Sequence, residues 1–330
     1  MHTDRTRFKG AIAALPTPFR NGALDMTAFD FLIRWQLDQG IDGVVVCGTT
    51  GEAPTLTHDE RLTMTRRCVE TIAGQVPVIA GTGSNNTEET IAATLAAAAC
   101  GADAALVVTP YYNKPSQEGL YRHFAAIAGA ATIPLILYNV PSRTGVDLLP
   151  DTVRRLAAFP GIIGIKDATG NLDRPERTAK LAGRDFLQFS GHDATALAFN
   201  NICGAGTISV VANVAPRLCA EMHRACRDGD LLSARTIRHR LEPLITALER
   251  ETNPVPVKYA LHRLLGQSPE VRLPLTAASP ETERAVEDAI TALFPFDFDQ
   301  PKRVAASDRT SDRMAFVRGR HMAEFSARTS

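Results

Sequence analysis

A lysine near the middle of the chain stands where an amine could act as a nucleophile. Lys166 closes an apolar run at residues 162–165, which is typical of a buried strand whose last residue opens onto polar surroundings. An amine partly removed from water is more readily uncharged, and an uncharged amine can attack a ketone to form a Schiff base. Alternatively, Lys166 only marks the hydrated end of a strand or pairs with Asp167, and its position alone favours that alternative.

Two threonines follow another apolar run, at residues 43–47. Thr49 and Thr50 precede Gly51 and Glu52, so two hydroxyls and the neighbouring backbone N–H groups could hold a carboxylate in a tight turn. The alternative is a turn in which the threonine hydroxyls bond only to the backbone. This motif taken alone favours that alternative over carboxylate binding.

Further polar side chains follow other predicted strands. Tyr138 ends the run LILY, where a phenol could relay protons, although a core tyrosine with a satisfied hydroxyl fits equally well. Arg143 lies in the next loop and suits bidentate carboxylate binding, unless it is only a solvated charge. The remaining polar or small residues at such positions are Thr17, Tyr111, Tyr112 and Gly191.

These residues can act together only in a fold that brings the ends of several strands close to one another. Eight short apolar runs alternate with amphipathic helical patterns, which favours a (β/α)8 barrel with a C-terminal helical appendage. A doubly wound sheet is the competitor, but no G-x-G-x-x-G follows the first strand. The predicted strands cover residues 11–14, 43–47, 76–80, 104–108, 135–138, 162–166, 186–190 and 207–210.

The C-terminal third of the chain differs in character. After residue 212 helical patterns dominate, at residues 216–228, 230–251, 256–265 and 280–293. We therefore expect a catalytic barrel over residues 1–228 and a helical segment over 229–294. Residues 295–330 are polar and arginine-rich without a sustained period, so we expect a disordered tail there.

Composition excludes several classes of function. The 330 residues carry 36 basic and 36 acidic side chains, and this zero formal charge argues against nucleic-acid and membrane-surface binding. Six scattered cysteines without a C-x-x-C pair, and no secretory signal, predict a cytoplasmic protein. The eight histidines show no zinc spacing, so we expect neither a metal nor another cofactor.

Seven motifs together resemble the dihydrodipicolinate synthase and N-acetylneuraminate lyase family of Schiff-base aldolases. The resemblance covers residues 8–293 and reverses the preference for a merely structural Lys166. Its carriers are CGTTGE at 47–52, VTPYYNKP at 108–115, YNVPSRTG at 138–145, GIKDAT at 164–169, SGHD at 190–193, GTISVVAN at 206–213 and ETNPVPVK at 251–258.

The resemblance implies a role for each site residue. Lys166 would form the Schiff base with pyruvate, Thr49 and Thr50 would hold the pyruvate carboxylate, and Tyr138 would transfer protons. Tyr112 from a neighbouring subunit would complete a hydroxyl relay Tyr138–Thr49–Tyr112. The residues expected to bind or line the pocket for the second substrate are Arg143, Gly191 and Ile208.

The implied reaction condenses pyruvate with L-aspartate 4-semialdehyde on the route to diaminopimelate and lysine. Sialic-acid lyases of the family generally have Ser-Thr in place of Thr49-Thr50 and tend to lack an arginine at position 143, so both positions favour the synthase reaction. Another pyruvate-dependent aldolase, such as an N-acetylneuraminate or 2-keto-3-deoxy sugar-acid lyase, is the runner-up. A non-catalytic ligand-binding paralogue is the third candidate. His192 and Thr207 depart from common family residues near the expected substrate entrance.

The resemblance also implies an assembly and a regulatory site. A tyrosine reaching across subunits implies an obligate oligomer, in this family usually a homotetramer built from dimers. Family members that lysine inhibits bind it at a subunit interface. Arg61 stands where sensitive members can carry histidine, which argues against feedback control here. The residues that match the lysine site are Ala53, His58, Asn85, Glu89 and Tyr111.

Overall fold

Eight parallel strands close into a barrel in the computed structural model, which describes residues 4–294. The predicted (β/α)8 barrel is therefore confirmed. The strands are β1 (Gly10–Ala14), β2 (Phe19–Arg20), β3 (Ala23–Leu24), β4 (Gly43–Val46), β5 (Val78–Gly81), β6 (Ala104–Val108), β7 (Leu135–Asn139), β8 (Ile162–Asp167), β9 (Leu187–Ser190) and β10 (Gly206–Ser209). They pair around the barrel in the order β1-β10-β9-β8-β7-β6-β5-β4, and β2 and β3 form a separate hairpin.

Helices connect the strands and continue beyond the barrel. The α-helices are α1 (Met26–Asp38), α2 (His58–Ile72), α3 (Thr87–Ala99), α4 (Gln117–Ala130), α5 (Pro141–Thr144), α6 (Pro150–Leu156), α7 (Asp173–Ala182), α8 (Ala196–Ile202), α9 (Pro216–Arg227), α10 (Leu231–Leu248), α11 (Val255–Leu265) and α12 (Pro280–Leu293). Single 3₁₀ turns cover Arg5–Arg7, Ala53–Thr55, Asp193–Thr195 and Val211–Asn213. The four C-terminal helical patterns of the sequence correspond to α9–α12, so the predicted helical appendage is confirmed.

The barrel strands are apolar throughout because both of their faces are covered. One face contacts the barrel interior and the other contacts the surrounding helices, as parallel sheets require. Interior positions are filled by bulky apolar side chains, among them Ile12, Val45, Ile79, Ile136, Phe189 and Ile208. Since the strands are parallel, their carboxyl ends meet at one face of the barrel, where active sites of this fold lie.

A local signal in the sequence marks the start of α2. Thr57 Oγ1 accepts a hydrogen bond from the Glu60 N–H at 3.2 Å, and Glu60 Oε2 accepts one from the Thr57 N–H at 2.9 Å. This capping box begins the helix. The strand predicted from residue 76 begins two residues later, since Pro77 has no N–H to donate to a neighbouring strand.

The hairpin of β2 and β3 was not predicted, although the sequence carries its signal. Asn21 and Gly22 form its turn, with φ angles of 54° and 79°. Asn-Gly is the preferred pair for such turns because both positions need positive φ. The Glu270 carboxylate accepts hydrogen bonds from both of their N–H groups, so the hairpin is held against the C-terminal part of the chain.

The proposed division of the chain at residues 228 and 229 falls between α9 and α10, and it remains a proposal. The tail predicted for residues 295–330 lies outside the described residues. Within residues 4–294, no helix is both long enough and apolar enough to cross a membrane.

Candidate active site

Lys166 and Tyr138 meet at the carboxyl ends of neighbouring strands. They are register partners between β7 and β8, and each is 6% exposed. Lys166 Nζ lies 4.3 Å from the centre of the Tyr138 ring. Strand pairing alone therefore places the amine beside the phenol at the barrel mouth.

Gly191 brings a third strand end against this lysine. A Cβ atom at position 191 would lie 2.8 Å from Lys166 Cε and 2.8 Å from Ala168 Cβ, so only glycine fits beside the lysine as it stands. The Gly191 N–H donates to the Asp167 carbonyl at 2.7 Å. The expectation that Gly191 lines the pocket thus has a steric basis.

Asp167 is engaged elsewhere and does not pair with Lys166. Its carboxylate accepts hydrogen bonds from Arg174 Nε at 2.8 Å, from the Thr169 N–H at 2.9 Å and from the Thr169 hydroxyl at 2.5 Å. Among residues 4–294 Lys166 forms no ion pair with any carboxylate. The alternative in which Lys166 and Asp167 neutralise each other is therefore wrong.

The turn after β4 carries Thr49 and Thr50 in a constrained backbone. Cys47 and Glu52 flank it with φ angles of 54° and 53°, a region that ordinary residues seldom occupy. Thr17 donates its hydroxyl hydrogen to the Gly51 carbonyl at 2.7 Å. Thr50 is 2% exposed and its hydroxyl accepts a hydrogen bond from Asn253 Nδ2 at 3.0 Å.

A buried ion pair lies beneath this turn. Lys258 Nζ is 2.5 Å from Glu52 Oε1, and the two side chains are 2% and 1% exposed. Burial lowers the pKa of the Lys258 ammonium from its ordinary value, and the Glu52 carboxylate opposes this shift. The second oxygen of the Glu52 carboxylate accepts a hydrogen bond from the backbone N–H of Arg272 at 2.9 Å. The pair therefore anchors the Thr49–Thr50 turn to the C-terminal helical segment.

Phe19 reinforces the same anchor through its ring. Lys258 Nζ and the Arg272 guanidinium carbon each lie 4.3 Å from the ring centre. Cations at this distance are attracted by the negative face of an aromatic ring. The Arg272 side chain also donates to both oxygens of Glu60, at 2.7 and 2.6 Å.

Arg143 stands at the edge of the mouth, on the short helix α5. Its Nη2 donates to the Asn253 carbonyl at 3.2 Å and to Thr252 Oγ1 at 3.4 Å. The side chain is exposed, and its other N–H groups have no protein partner among residues 4–294. Arg143 can therefore present free donors to an incoming carboxylate.

The expected hydroxyl relay is not assembled by the single chain. Tyr112 is 89% exposed and has a φ of 68°, and Thr49 is half-buried. Within residues 4–294 no hydrogen bond joins Tyr138, Thr49 and Tyr112 to one another.

Ile208 lies on β10, two strands from the β4 strand that precedes the threonine turn, and His192 lies in the loop after β9. Ile208, on β10, is 1% exposed and belongs to the interior cluster that contains Tyr138. His192 Nδ1 is 3.1 Å from the Thr195 hydroxyl, and the His192 ring packs over Gly170. Asp193 accepts hydrogen bonds from Ser209 and Val210, which ties this loop to the end of β10.

The residues that match a lysine-binding site fall into two groups. Ala53 and His58 lie around the start of α2, where Arg61 Nη2 donates to the Ala53 carbonyl at 2.6 Å. Asn85 and Tyr111 lie in neighbouring loops that Asn113 links, and Glu89 accepts from Ser84. No hydrogen bond within the described chain joins the two groups.

Sequence reasoning missed the residues that hold the threonine turn. Asn253, Lys258 and Arg272 contact residues about two hundred positions earlier in the chain. One usable signal existed, because Lys258 interrupts an otherwise apolar stretch of α11. A charge at a helix position that faces a core usually has a buried partner.

Comparison with known proteins places this site in context. A model described as the dihydrodipicolinate synthetase family matches residues 7–293. A 4-hydroxy-tetrahydrodipicolinate synthase from Methylobacterium radiotolerans is 50% identical over 285 residues, covering 86% of this chain and 95% of the relative.

Solved structures agree with the family match. A dihydrodipicolinate synthase from Acinetobacter baumannii complexed with pyruvate superposes with a TM-score of 0.85 at 42% identity, covering 86% of this chain and 98% of that one. A monomeric dihydrodipicolinate synthase variant superposes with a TM-score of 0.86 at 41% identity, covering 88% and 98%.

Proposed function

Because the chain belongs to the dihydrodipicolinate synthetase family, we propose that it condenses pyruvate with L-aspartate 4-semialdehyde, the 4-hydroxy-tetrahydrodipicolinate synthase reaction. It is an enzyme of the lyase class, and the reaction leads towards diaminopimelate and lysine. The observation that carries the proposal is the buried Lys166 amine, which lies 4.3 Å from the Tyr138 ring centre and pairs with no carboxylate of residues 4–294.

The Schiff base explains how the reaction proceeds on protein groups alone. The Lys166 amine adds to the ketone carbon of pyruvate, and loss of water from the carbinolamine gives an imine. The imine withdraws electrons, so the pyruvate methyl group can lose a proton and become an enamine carbon nucleophile. That carbon then attacks the aldehyde carbon of the second substrate.

Each of these steps needs a proton to be delivered or removed. Tyr138 is the proton donor and acceptor that strand register places beside Lys166. Tyr112 would extend the relay through Thr49 when a second subunit brings it to the mouth, and its 89% exposure leaves it available for that contact. This role accords with the proposed homotetramer built from dimers, while the monomeric relative makes the oligomeric state a separate measurement.

Two carboxylates have to be bound, one from each substrate. Thr49, Thr50 and the backbone of their turn would hold the pyruvate carboxylate, and Arg143 would hold that of the semialdehyde. Gly191 and Ile208 would line the pocket between these two positions.

Reductive trapping tests the central step. Borohydride added with pyruvate should leave an adduct of pyruvate mass on Lys166, and Lys166→Met should abolish both the adduct and turnover. Lys180→Met is the matched control, since Lys180 is exposed and, within the described part of the chain, pairs only with Glu176. Trapping on another lysine, or none in the unmodified protein, would overturn the mechanism.

Substrate preference tests the second half of the proposal. Turnover of pyruvate with aspartate semialdehyde should exceed turnover of N-acetylneuraminate or 2-keto-3-deoxy sugar acids by orders of magnitude. Arg143→Ala should weaken use of the semialdehyde and leave formation of the pyruvate adduct intact, whereas Arg177→Ala, an exposed arginine paired with Asp151, should change neither. Undiminished semialdehyde turnover in Arg143→Ala would refute the role of Arg143.

A further inference from the structure

The loop between α10 and α11 contacts both positions at which a substrate carboxylate is expected. Asn253 is the residue of this loop, residues 249–254, that makes both contacts. Its side chain reaches Thr50 on the turn after β4, and its carbonyl accepts from Arg143 on α5. A single residue of the C-terminal segment therefore touches the binding groups for both substrates.

The polarity of the Asn253–Thr50 hydrogen bond matters for catalysis. Asn253 Nδ2 donates to Thr50 Oγ1 at 3.0 Å. A hydroxyl carries one hydrogen, so a threonine that accepts from an amide keeps that hydrogen for another acceptor. Thr50 is 2% exposed, and its hydroxyl donates to no other group of residues 4–294. The hydrogen is left for a ligand oxygen.

The opposite arrangement would remove this donor. If the carboxamide oxygen faced Thr50, the hydroxyl would donate to Asn253 and could no longer donate to a carboxylate. Asn253 Oδ1 is instead buried without a hydrogen-bond partner among the described residues. The carboxamide therefore uses a donor hydrogen on Thr50 and leaves its own oxygen without a protein partner within residues 4–294.

We propose that Asn253 is a positioning residue that fixes Thr50 as a hydrogen-bond donor toward the pyruvate carboxylate. The inference rests on the proposed function, because it assumes that Thr50 binds that carboxylate. Asn253 itself does not touch the reacting atoms. It acts through Thr50, and its main-chain carbonyl holds Arg143 at the same time.

Asn253→Asp tests the polarity directly, since the two side chains have the same shape. An ionised carboxylate at this position can only accept, so it would draw the Thr50 hydrogen to itself. We expect the KM for pyruvate to rise about tenfold near neutral pH while kcat changes less than threefold. As the pH is lowered, the carboxyl of this variant gains a hydrogen to donate, and the ratio of variant to wild-type KM should fall. A pH-independent ratio, or a KM within twofold of wild type, would overturn the proposal.

A double-mutant cycle tests whether Asn253 acts through Thr50. Asn253→Ala should raise the KM for pyruvate several-fold in the wild-type background and should have almost no further effect in a Thr50→Val background. An equal effect in both backgrounds would show that Asn253 acts by another route and would overturn the proposal.

Gln36→Leu is the matched control, because Gln36 is also a buried amide and donates to the Ala212 carbonyl away from this loop. It should reduce thermal stability without changing the KM for pyruvate.

The two levels of inference can fail separately. If the unmodified protein forms no trapped pyruvate adduct on Lys166, the proposed function fails. If it does form the adduct and both Asn253 variants bind pyruvate normally, only the role of Asn253 fails. Circular dichroism and the trapped fraction of each variant establish that the fold and Lys166 are intact in the comparison.

Discussion

The candidate active site has two halves that are built in different ways. Tyr138, Lys166 and Gly191 form the strand half, in which adjacent strand ends place every side chain. Thr49, Thr50 and Glu52, together with Asn253 and Lys258, form the turn half. In the turn half, residues of the C-terminal segment hold a loop whose backbone is strained.

The two halves keep their geometry through different kinds of contact. Parallel pairing fixes the strand half within a few ångströms, because the backbone hydrogen bonds of the barrel set the register. The turn half has no such ladder, and two residues of positive φ make its backbone costly to maintain. Its geometry therefore depends on the buried contacts that the C-terminal segment provides.

Charge is also used differently in the two halves. In the strand half, Arg174 binds Asp167 and Asp147 beside Lys166, and Lys166 has no carboxylate partner among residues 4–294. In the turn half, the buried cation Lys258 is itself paired with Glu52. A lysine without a carboxylate partner can serve as a nucleophile, whereas a paired lysine stabilises structure.

Removing the Lys258 charge should give the largest effect on stability. Lys258→Met leaves the Glu52 carboxylate buried without its main partner, and we expect a loss of about 3–5 kcal/mol in the free energy of unfolding. The KM for pyruvate should rise as well, because the Thr49–Thr50 turn loses its anchor. Denaturant unfolding and steady-state kinetics measure the two quantities.

The double variant Glu52→Gln/Lys258→Met provides the control for this prediction. It removes both charges, so it should recover much of the lost stability. If Lys258→Met alone costs less than about 1 kcal/mol, the turn half does not depend on this ion pair and the contrast between the halves disappears.

Filling the space beside Lys166 should mainly affect catalysis. Gly191→Ala puts a Cβ where Lys166 Cε and Ala168 Cβ already lie, so the amine must shift relative to Tyr138. A displacement of about 1 Å can cost roughly 100-fold in rate, and we expect a loss of that size in kcat. Gly161→Ala, at the other end of β8, meets no atom within 4 Å and should stay within twofold of wild type. A Gly191→Ala enzyme with normal kcat would show that the strand half tolerates displacement.

Breaking the charge network of the strand half should affect stability alone. Arg174→Met removes donors to Asp167, Asp147 and the Leu148 carbonyl. The Asp147 side chain is 38% exposed and can be rehydrated, so we expect a loss of roughly 2 kcal/mol in the free energy of unfolding. The KM for pyruvate should stay within twofold. A rise in KM as large as that of Lys258→Met would erase the distinction between the two networks.

The two halves also differ in how far the sequence predicts them. Lys166 and Tyr138 each end a short apolar run, and a barrel whose strands follow chain order brings such residues together. The strand half follows from period and register, both of which are local. Gly191 follows for the same reason, since it comes directly after the next strand.

The turn half could be predicted only in part. Thr49 and Thr50 are visible after an apolar run, but their partner Asn253 is 203 positions from Thr50. Nothing in a local pattern indicates which residue of the C-terminal segment reaches which loop, because that contact depends on how α10 and α11 pack outside the barrel. The hairpin at Asn21 and Gly22 is different, since its turn signal is local and could have been found from the sequence.

Acid should weaken the Glu60–Arg272 ion pair, which supports the turn half through the contact of Arg272 with Glu52, by a smaller amount than any substitution above. Hydrogen bonds from the Arg272 guanidinium lower the pKa of Glu60 from 4.5 to about 2. A carboxyl whose pKa is lowered by folding stabilises the protein above its unfolded pKa, and that stabilisation is lost as the pH falls from about 4.5 towards 2. The pair lies near solvent, so we expect about 1 kcal/mol rather than the full value of the shift.

Glu60→Gln isolates this contribution, because glutamine can still accept from the Thr57 N–H that caps α2. The variant should lose about 1 kcal/mol in the free energy of unfolding near neutral pH and should converge with wild type as the pH approaches about 2. Glu281→Gln, an exposed first-turn residue of α12 whose contact to Arg284 is 3.4 Å long, should show no such convergence. If wild type and Glu60→Gln instead differ by the same amount at every pH, the ion pair to Arg272 does not stabilise the turn half. Its anchoring would then depend on Lys258, Asn253 and the backbone N–H of Arg272.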